Sequence, residues 1–134
     1  MEAEIRNAAD AGGFGQNVNL AGRKIAPEVA SYMQAADVLC LSSDNEGVPN
    51  VIMEAFASGL KIVSTDVGGI GEVLNREFLG KLVPAGDQTA FTNALAEVLS
   101  QPAQTEKIRE CALGFSWEKA ADAYLNLLNK AVER

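Results

Sequence analysis

Glu46 and Glu54 stand eight positions apart around a Gly-Val-Pro turn, within SSDNEGVPNVIMEAFASG at 42–59. The apolar run Val38-Leu39-Cys40-Leu41 precedes this stretch and an amphipathic segment follows, so the turn lies where a strand becomes a helix. The first N–H groups of a helix lack intrahelical partners, and the helix dipole adds roughly half a positive charge there. Gly47 lets the backbone come close to a ligand, and Pro49 fixes the direction of entry. Together these features suit an anion, phosphate in particular. A carboxylate repels phosphate, so the glutamates need another task. They can accept hydrogen bonds from neutral hydroxyls, and paired hydroxyls mean sugar or ribose. A nucleotide-sugar, with phosphates in the middle and hydroxyls at both ends, fits that layout. Glutamate at a helix start is equally what complementing the dipole alone would place there. A second turn shifts the balance toward a ligand. Ser64-Thr65-Asp66 ends another apolar run, and Gly68-Gly69 then opens a short helix that includes Glu72. Two such turns from neighbouring strands converge on one crevice, outside the carboxyl ends of an open parallel sheet.

The elements that must position these residues alternate between short apolar runs and helical patterns, which predicts an α/β fold with a parallel sheet. Strands are expected near 18–21, 38–41, 61–64 and 81–83. Helices are expected near 3–11, 27–35, 50–58, 69–74, 88–99, 105–113 and 117–132. Pro27 suits a first helical turn, Gly59 a helix end, and Asp87 and Ser116 suit N-caps. The last helix carries Trp117, Ala120, Ala121, Tyr124, Leu125, Leu128 and Val132 along one side, expected to pack on the core. No strand precedes the first helix, so the chain reads as starting part-way through a domain.

Composition narrows the chemistry. The 134 residues are 48% apolar and 22% charged, enough for one globular domain. The net charge of −7, with no Lys/Arg cluster, argues against a nucleic-acid partner. Without histidine, Ser-His and Cys-His nucleophile systems are excluded within this chain. Cys40 and Cys111 lack metal spacing and read as reduced, buried thiols. No secretory pattern or apolar span of ~20 residues occurs, so a cytoplasmic location is expected. One further reading treats Asp44, Glu46 and Asp66 as Mg²⁺ ligands, but Gly-Val-Pro after Glu46 favours phosphate over metal.

The run from Ser42 to Leu74 closely resembles the nucleotide-sugar half of the retaining (group 1, family 4) glycosyltransferases, which have the GT-B fold. The family pattern EGxPxVxxEAxAxGxPVVxTxxGGxxE is matched with Glu46 and Glu54 as its two glutamates. Gly80-Lys81-Leu82-Val83, Gly86-Asp87 and Phe115-Ser116-Trp117 match in order and spacing, so the resemblance covers nearly the whole chain. It implies a Rossmann-like parallel sheet with flanking helices. Glu46 would be catalytic, holding hydroxyls of the transferred sugar beside the reacting carbon. The backbone of Gly47, Val48, Pro49, Asn50 and Val51 would hold the distal phosphate and the sugar. Glu54 would bind the ribose hydroxyls, and Arg23 and Lys24 would lie near the base. Gly68, Gly69 and Glu72 would support the cleft. The donor would be a UDP-sugar or GDP-sugar, with no bound metal or other cofactor. Lys61 and Gly71 stand where the family usually has proline.

Asp44, Glu46, Glu54, Asp66 and Glu72 would surround a pyrophosphate of charge about −2, and helix dipoles of about 0.3–1 kcal/mol cannot balance them. The cations would come from a metal or from protein outside this chain. In the family an Arg and a Lys from the region before the first helix seen here contact the pyrophosphate, and a separate N-terminal domain binds the acceptor. Residues 1–134 would therefore form a partial C-terminal donor-binding domain. Its partner would be the missing domain or another chain, and the intact enzyme could lie at a membrane surface. A binding module without activity is the alternative. The missing first strand would lie between those at 18–21 and 38–41. Either these two strands pair directly, or the chain is marginally stable or dimerises through its exposed sheet edge or last helix.

Overall fold

The computed structural model describes residues 2–132. Three strands, β1 (Val38–Leu41), β2 (Lys61–Thr65) and β3 (Gly80–Val83), form one open parallel sheet in the order β1-β2-β3. The helices are α1 (Glu2–Ala11), α2 (Ala26–Ala35), α3 (Asn50–Ser58), α4 (Ile70–Val73), α5 (Gln88–Ser100), α6 (Thr105–Ala112) and α7 (Trp117–Val132). Single 3₁₀ turns lie at Gly15–Asn17, Glu77–Leu79 and Leu113–Phe115. Among the described residues no helix is long and apolar enough to cross a membrane.

β2 is central, and all five of its residues are buried, as a parallel strand covered on both faces requires. Its side chains alternate between two clusters. Ile62 packs with Met33, Ile52, Phe56, Ile70, Leu79 and Ile108, so α3, α4 and α6 cover one face. Val63 packs with Val83, Ala94 and Val98 under α5 on the other. The helix ends follow local chemistry. Asp87 Oδ1 accepts from the Ala90 N–H at 2.8 Å, and Ser116 Oγ from the Lys119 N–H at 3.3 Å. Gly59 ends α3 in the left-handed conformation, with φ 77°. Lys61, where the family usually has proline, is buried. Its ammonium donates to the carbonyls of Val98 (3.5 Å) and Gln101 (3.3 Å) at the negative end of α5.

Three expectations are corrected. Segment 18–21 forms no strand and does not pair with β1. A strand needs a neighbour to satisfy its backbone, and no strand is available to lie between 18–21 and β1. The outer edge of β1 is consequently unpaired among the described residues. Cys40 is exposed and Cys111 only half-buried. Cys40 points to the α5 side of the sheet, where α5 packs mainly on β2 and β3 and Val38 rather than Cys40 joins its cluster. Its strand neighbours still desolvate the sulfur enough to push the thiol pKa up. The stripe on α7 is not core either. No residue of α7 is buried, Trp117 is 88% exposed and Val132 86%, because the helix packs chiefly on the turn 113–115.

Because Phe56 is fully buried between α3 and β2, Phe56→Ala is expected to remove about 3–5 kcal/mol of stability. Urea unfolding should show a lower midpoint with an unchanged slope.

Candidate functional site

The site is built at the carboxyl ends of β1 and β2. β1 hands over to Ser42–Pro49, and Pro49, extended at φ −67° and ψ 134°, precedes α3 without any side-chain cap on that helix. The Ile52 N–H donates to the Pro49 carbonyl at 3.1 Å, and the amides of Asn50 and Val51 keep their donor capacity. Space above Gly47 is open, and an added Cβ there would meet nothing within 4 Å.

The turn is held from two directions. Within it, Ser43 Oγ donates to Glu46 Oε1 at 2.8 Å, which orients a half-buried carboxylate and leaves its second oxygen free of that contact. From β2, Thr65 Oγ1 donates to the Ser43 carbonyl. From the next turn, the Gly69 N–H donates to the Gly47 carbonyl at 2.9 Å. Gly68, at φ +56°, lies so close beneath the Glu46 carbonyl that any Cβ would collide with it. Gly69 packs against Val48 in the same way. The two glycine-bearing turns thus converge, and Gly68 and Gly69 act as support. Glu72 lies exposed on the single turn of α4, which begins there.

Glu54 lies exposed on α3 and lines two shallow cavities. One, about 410 Å³, is shared with Asn50, Phe115, Ser116 and Trp117. The other, about 350 Å³, is shared with Ala26 and Ala30 of α2. The start of α2 is therefore beside Glu54, with Arg23 and Lys24 just ahead of it in sequence. Lys24 is engaged by Glu28 (3.7 Å), which also accepts from the Ile25 N–H at 3.2 Å. Glu46 does not line either cavity that contains Glu54. A third cavity, about 520 Å³, opens at the strand ends between Asp44, Thr65 and the β3–α5 loop. Among the described residues no three His, Cys, Asp or Glu side chains, Asp44, Glu46 and Asp66 included, gather into a metal-binding cluster.

Ser43 and Thr65 escaped the sequence reading as positioning residues. The Ser-x-x-Glu spacing of Ser43 and Glu46 was the available signal for one. The reach of Thr65 to a carbonyl 22 residues away had none. At α7, Glu118 is held below the usual carboxylate range by its own backbone N–H and by the Ser116 hydroxyl.

The family profile described as "Glycosyl transferases group 1" matches residues 1–101. An amylovoran biosynthesis glycosyltransferase of Erwinia amylovora is 36% identical over 112 residues, covering 79% of this chain and 26% of that protein. A D-inositol 3-phosphate glycosyltransferase of Saccharomonospora viridis is 34% identical over 109 residues, covering 78% and 25%. The sucrose-phosphate synthase structure from Thermosynechococcus elongatus superposes with a TM-score of 0.83 at 27% identity, covering 98% of this chain and 34% of that one. The chain thus spans about a quarter of these two relatives' length and a third of that structure's.

Replacing Gly68 by Ala tests the coupling of the two turns. The φ of +56° and the collision with Glu46 predict a loss of about 1–3 kcal/mol, with amide shifts concentrated at residues 46–49. Gly47→Ala, which meets open space, should leave the unfolding midpoint unchanged.

Proposed function

The chain belongs to the group 1 glycosyl transferases, and on that premise we propose that it is the donor-binding part of an enzyme that moves a sugar from a nucleoside diphosphate to an acceptor hydroxyl, with retention of anomeric configuration. The observation that supports this reading is the β1–α3 turn: an oriented carboxylate, Glu46, beside the uncapped start of a helix, with Glu54 further along the same helix. The amides of Gly47, Val48, Asn50 and Val51 offer donors to the distal phosphate, and the helix dipole favours the charge that develops on a departing diphosphate. Glu46, fixed by Ser43, accepts from hydroxyls of the transferred sugar. Glu54, beside the start of α2, accepts from the ribose, with Arg23 and Lys24 on the side of the base. Positioning of this kind converts binding energy into rate without a covalent intermediate on the protein.

The site's charge defines what else the enzyme must contain. Asp44, Glu46, Glu54, Asp66 and Glu72 are all acidic. Of the nearby cations, Arg23 lies on the base side, Lys24 is engaged by Glu28, and Lys61 reaches the far end of α5. The positive charge that faces the diphosphate, together with the acceptor and its base, therefore belongs to the remaining length seen in the relatives. By itself this chain binds donor rather than transferring sugar.

Calorimetric titration with UDP, GDP, UDP-glucose and GDP-mannose tests the reading. Saturable binding of one nucleotide class is expected, weakened at least about tenfold in Glu54→Ala, the cost of a lost charge-assisted hydrogen-bond pair. Equal binding by the variant would remove Glu54 from the site. No binding by a cooperatively folded chain would mean that the cations outside it are required for affinity.

A further inference from the structure

A second concave surface lies between the α4–β3 connection and the α6–α7 corner. It is a groove of about 500 Å³ whose walls carry Arg76, Lys107 and Lys119 against the single carboxylate of Glu110. In a chain of net charge −7 such a concentration of cations is unexpected. None of the three is neutralised. The described ion pairs are Lys24–Glu28, Lys81–Glu97 and Arg109–Glu106, and none of these involves the groove. Each groove cation rests instead on a neutral partner. Arg76 Nη1 lies 3.3 Å from Cys111 Sγ. The Lys107 ammonium sits 4.1 Å from the centre of the Phe78 ring. Lys119 Nζ donates to the Leu113 carbonyl at 2.8 Å. Lys107 also donates to Gln104 Oε1 at 3.4 Å. These neutral contacts leave three cations and one carboxylate lining the groove.

The floor is of a different character. Phe78 and Phe115 line the same groove as the cations, with Phe115 half-exposed. An anion alone would satisfy the rim and leave the exposed Phe115 ring in water. A ligand with an anionic head and an aromatic or aliphatic body would use both. We propose that this groove binds a small phosphorylated molecule, its phosphoryl group held by Arg76, Lys107 and Lys119 and its apolar part lying on Phe78 and Phe115. Phosphate fits better than carboxylate because a dianion matches three cations facing one acid, and Arg can engage it through two donors at once. The concave shape and its volume suit a small molecule rather than a nucleic-acid backbone, which needs cations spread in a line. The groove meets the Glu54 cavity at Phe115, but none of its three cations lines that cavity, and the proposal does not rest on the donor-site reading.

The test uses the ¹⁵N-labelled chain at low salt, titrated with phenyl phosphate. Saturable shifts are expected at residues 73–79 and 107–119, with residues 43–48 of the Glu46 turn unmoved. Inorganic phosphate should produce the same pattern more weakly. Lys107→Gln/Lys119→Gln should weaken phenyl phosphate at least about tenfold, and its unliganded spectrum reports whether it folds; if it does not, Arg76→Gln takes its place. Added salt should lower the affinity further. Linear, unsaturated shifts spread over the surface would overturn the proposal, as would an affinity unaltered in the folded variant. Lysine-dependent binding to phosphatidylglycerol vesicles with no saturable response to phenyl phosphate would also overturn it, and would make the groove a membrane contact.

Discussion

The site hangs on a close backbone approach between two loops that are distant in sequence. The Gly69 N–H reaches the Gly47 carbonyl while Gly68 lies directly under the Glu46 carbonyl. Only residues without a Cβ allow the two turns to come so near, and Gly68 also needs a left-handed φ that glycine adopts at little cost. This approach makes the end of β1 and the end of β2 one rigid unit. Thr65 ties the same turn to β2 through the Ser43 carbonyl, and Ser43 in turn fixes Glu46. The orientation of one carboxylate is thereby transmitted from the sheet, with each link a hydrogen bond of short reach.

Charge divides the molecule into two regions of opposite character. The carboxyl ends of the strands gather acidic residues around a helix N-terminus, an arrangement that suits hydroxyls at its edges and phosphate at its centre only when cations are supplied. Apart from Arg23 and Lys24 just ahead of α2, the lysines and arginines lie elsewhere. Lys61 is buried against the carbonyl end of α5, and Arg76, Lys107 and Lys119 surround the groove by α6. The chain spans about a quarter of the length of the two relatives compared.

Packing is uneven across the described residues. β2 is buried throughout, whereas β1 keeps an unpaired edge and leaves Cys40 exposed. α7 carries an apolar stripe with no buried residue. Burial of apolar area is what holds elements in place. The tightly determined part is therefore the β2-centred core with α3, α4, α5 and α6, which is also the part that positions the Glu46 turn.

Local chemistry was legible from the sequence. The strand ends around 41 and 65, the extent of α3, the caps at Asp87 and Ser116 and the glycine stop at Gly59 follow from periodicity, fixed φ and side-chain donors or acceptors near in the chain. The type of the Glu46 turn and its helix start were legible for the same reason. Tertiary structure decided what depends on distant partners. Segment 18–21 has strand-like residues but no strand to pair with, and apolarity alone does not satisfy a backbone. The stripe on α7 has core-like spacing, yet periodicity shows which face is apolar and not whether another surface covers it. The support that Thr65 and Gly69 give to the Glu46 turn joins residues about 22 positions apart, a separation that only the parallel pairing of β1 with β2 closes. Sequence by itself determined the fold class and the candidate ligand-facing groups. The sheet decided which of them share one rigid frame, because hydrogen bonds and burial act over a few ångströms in space, whatever the distance along the chain.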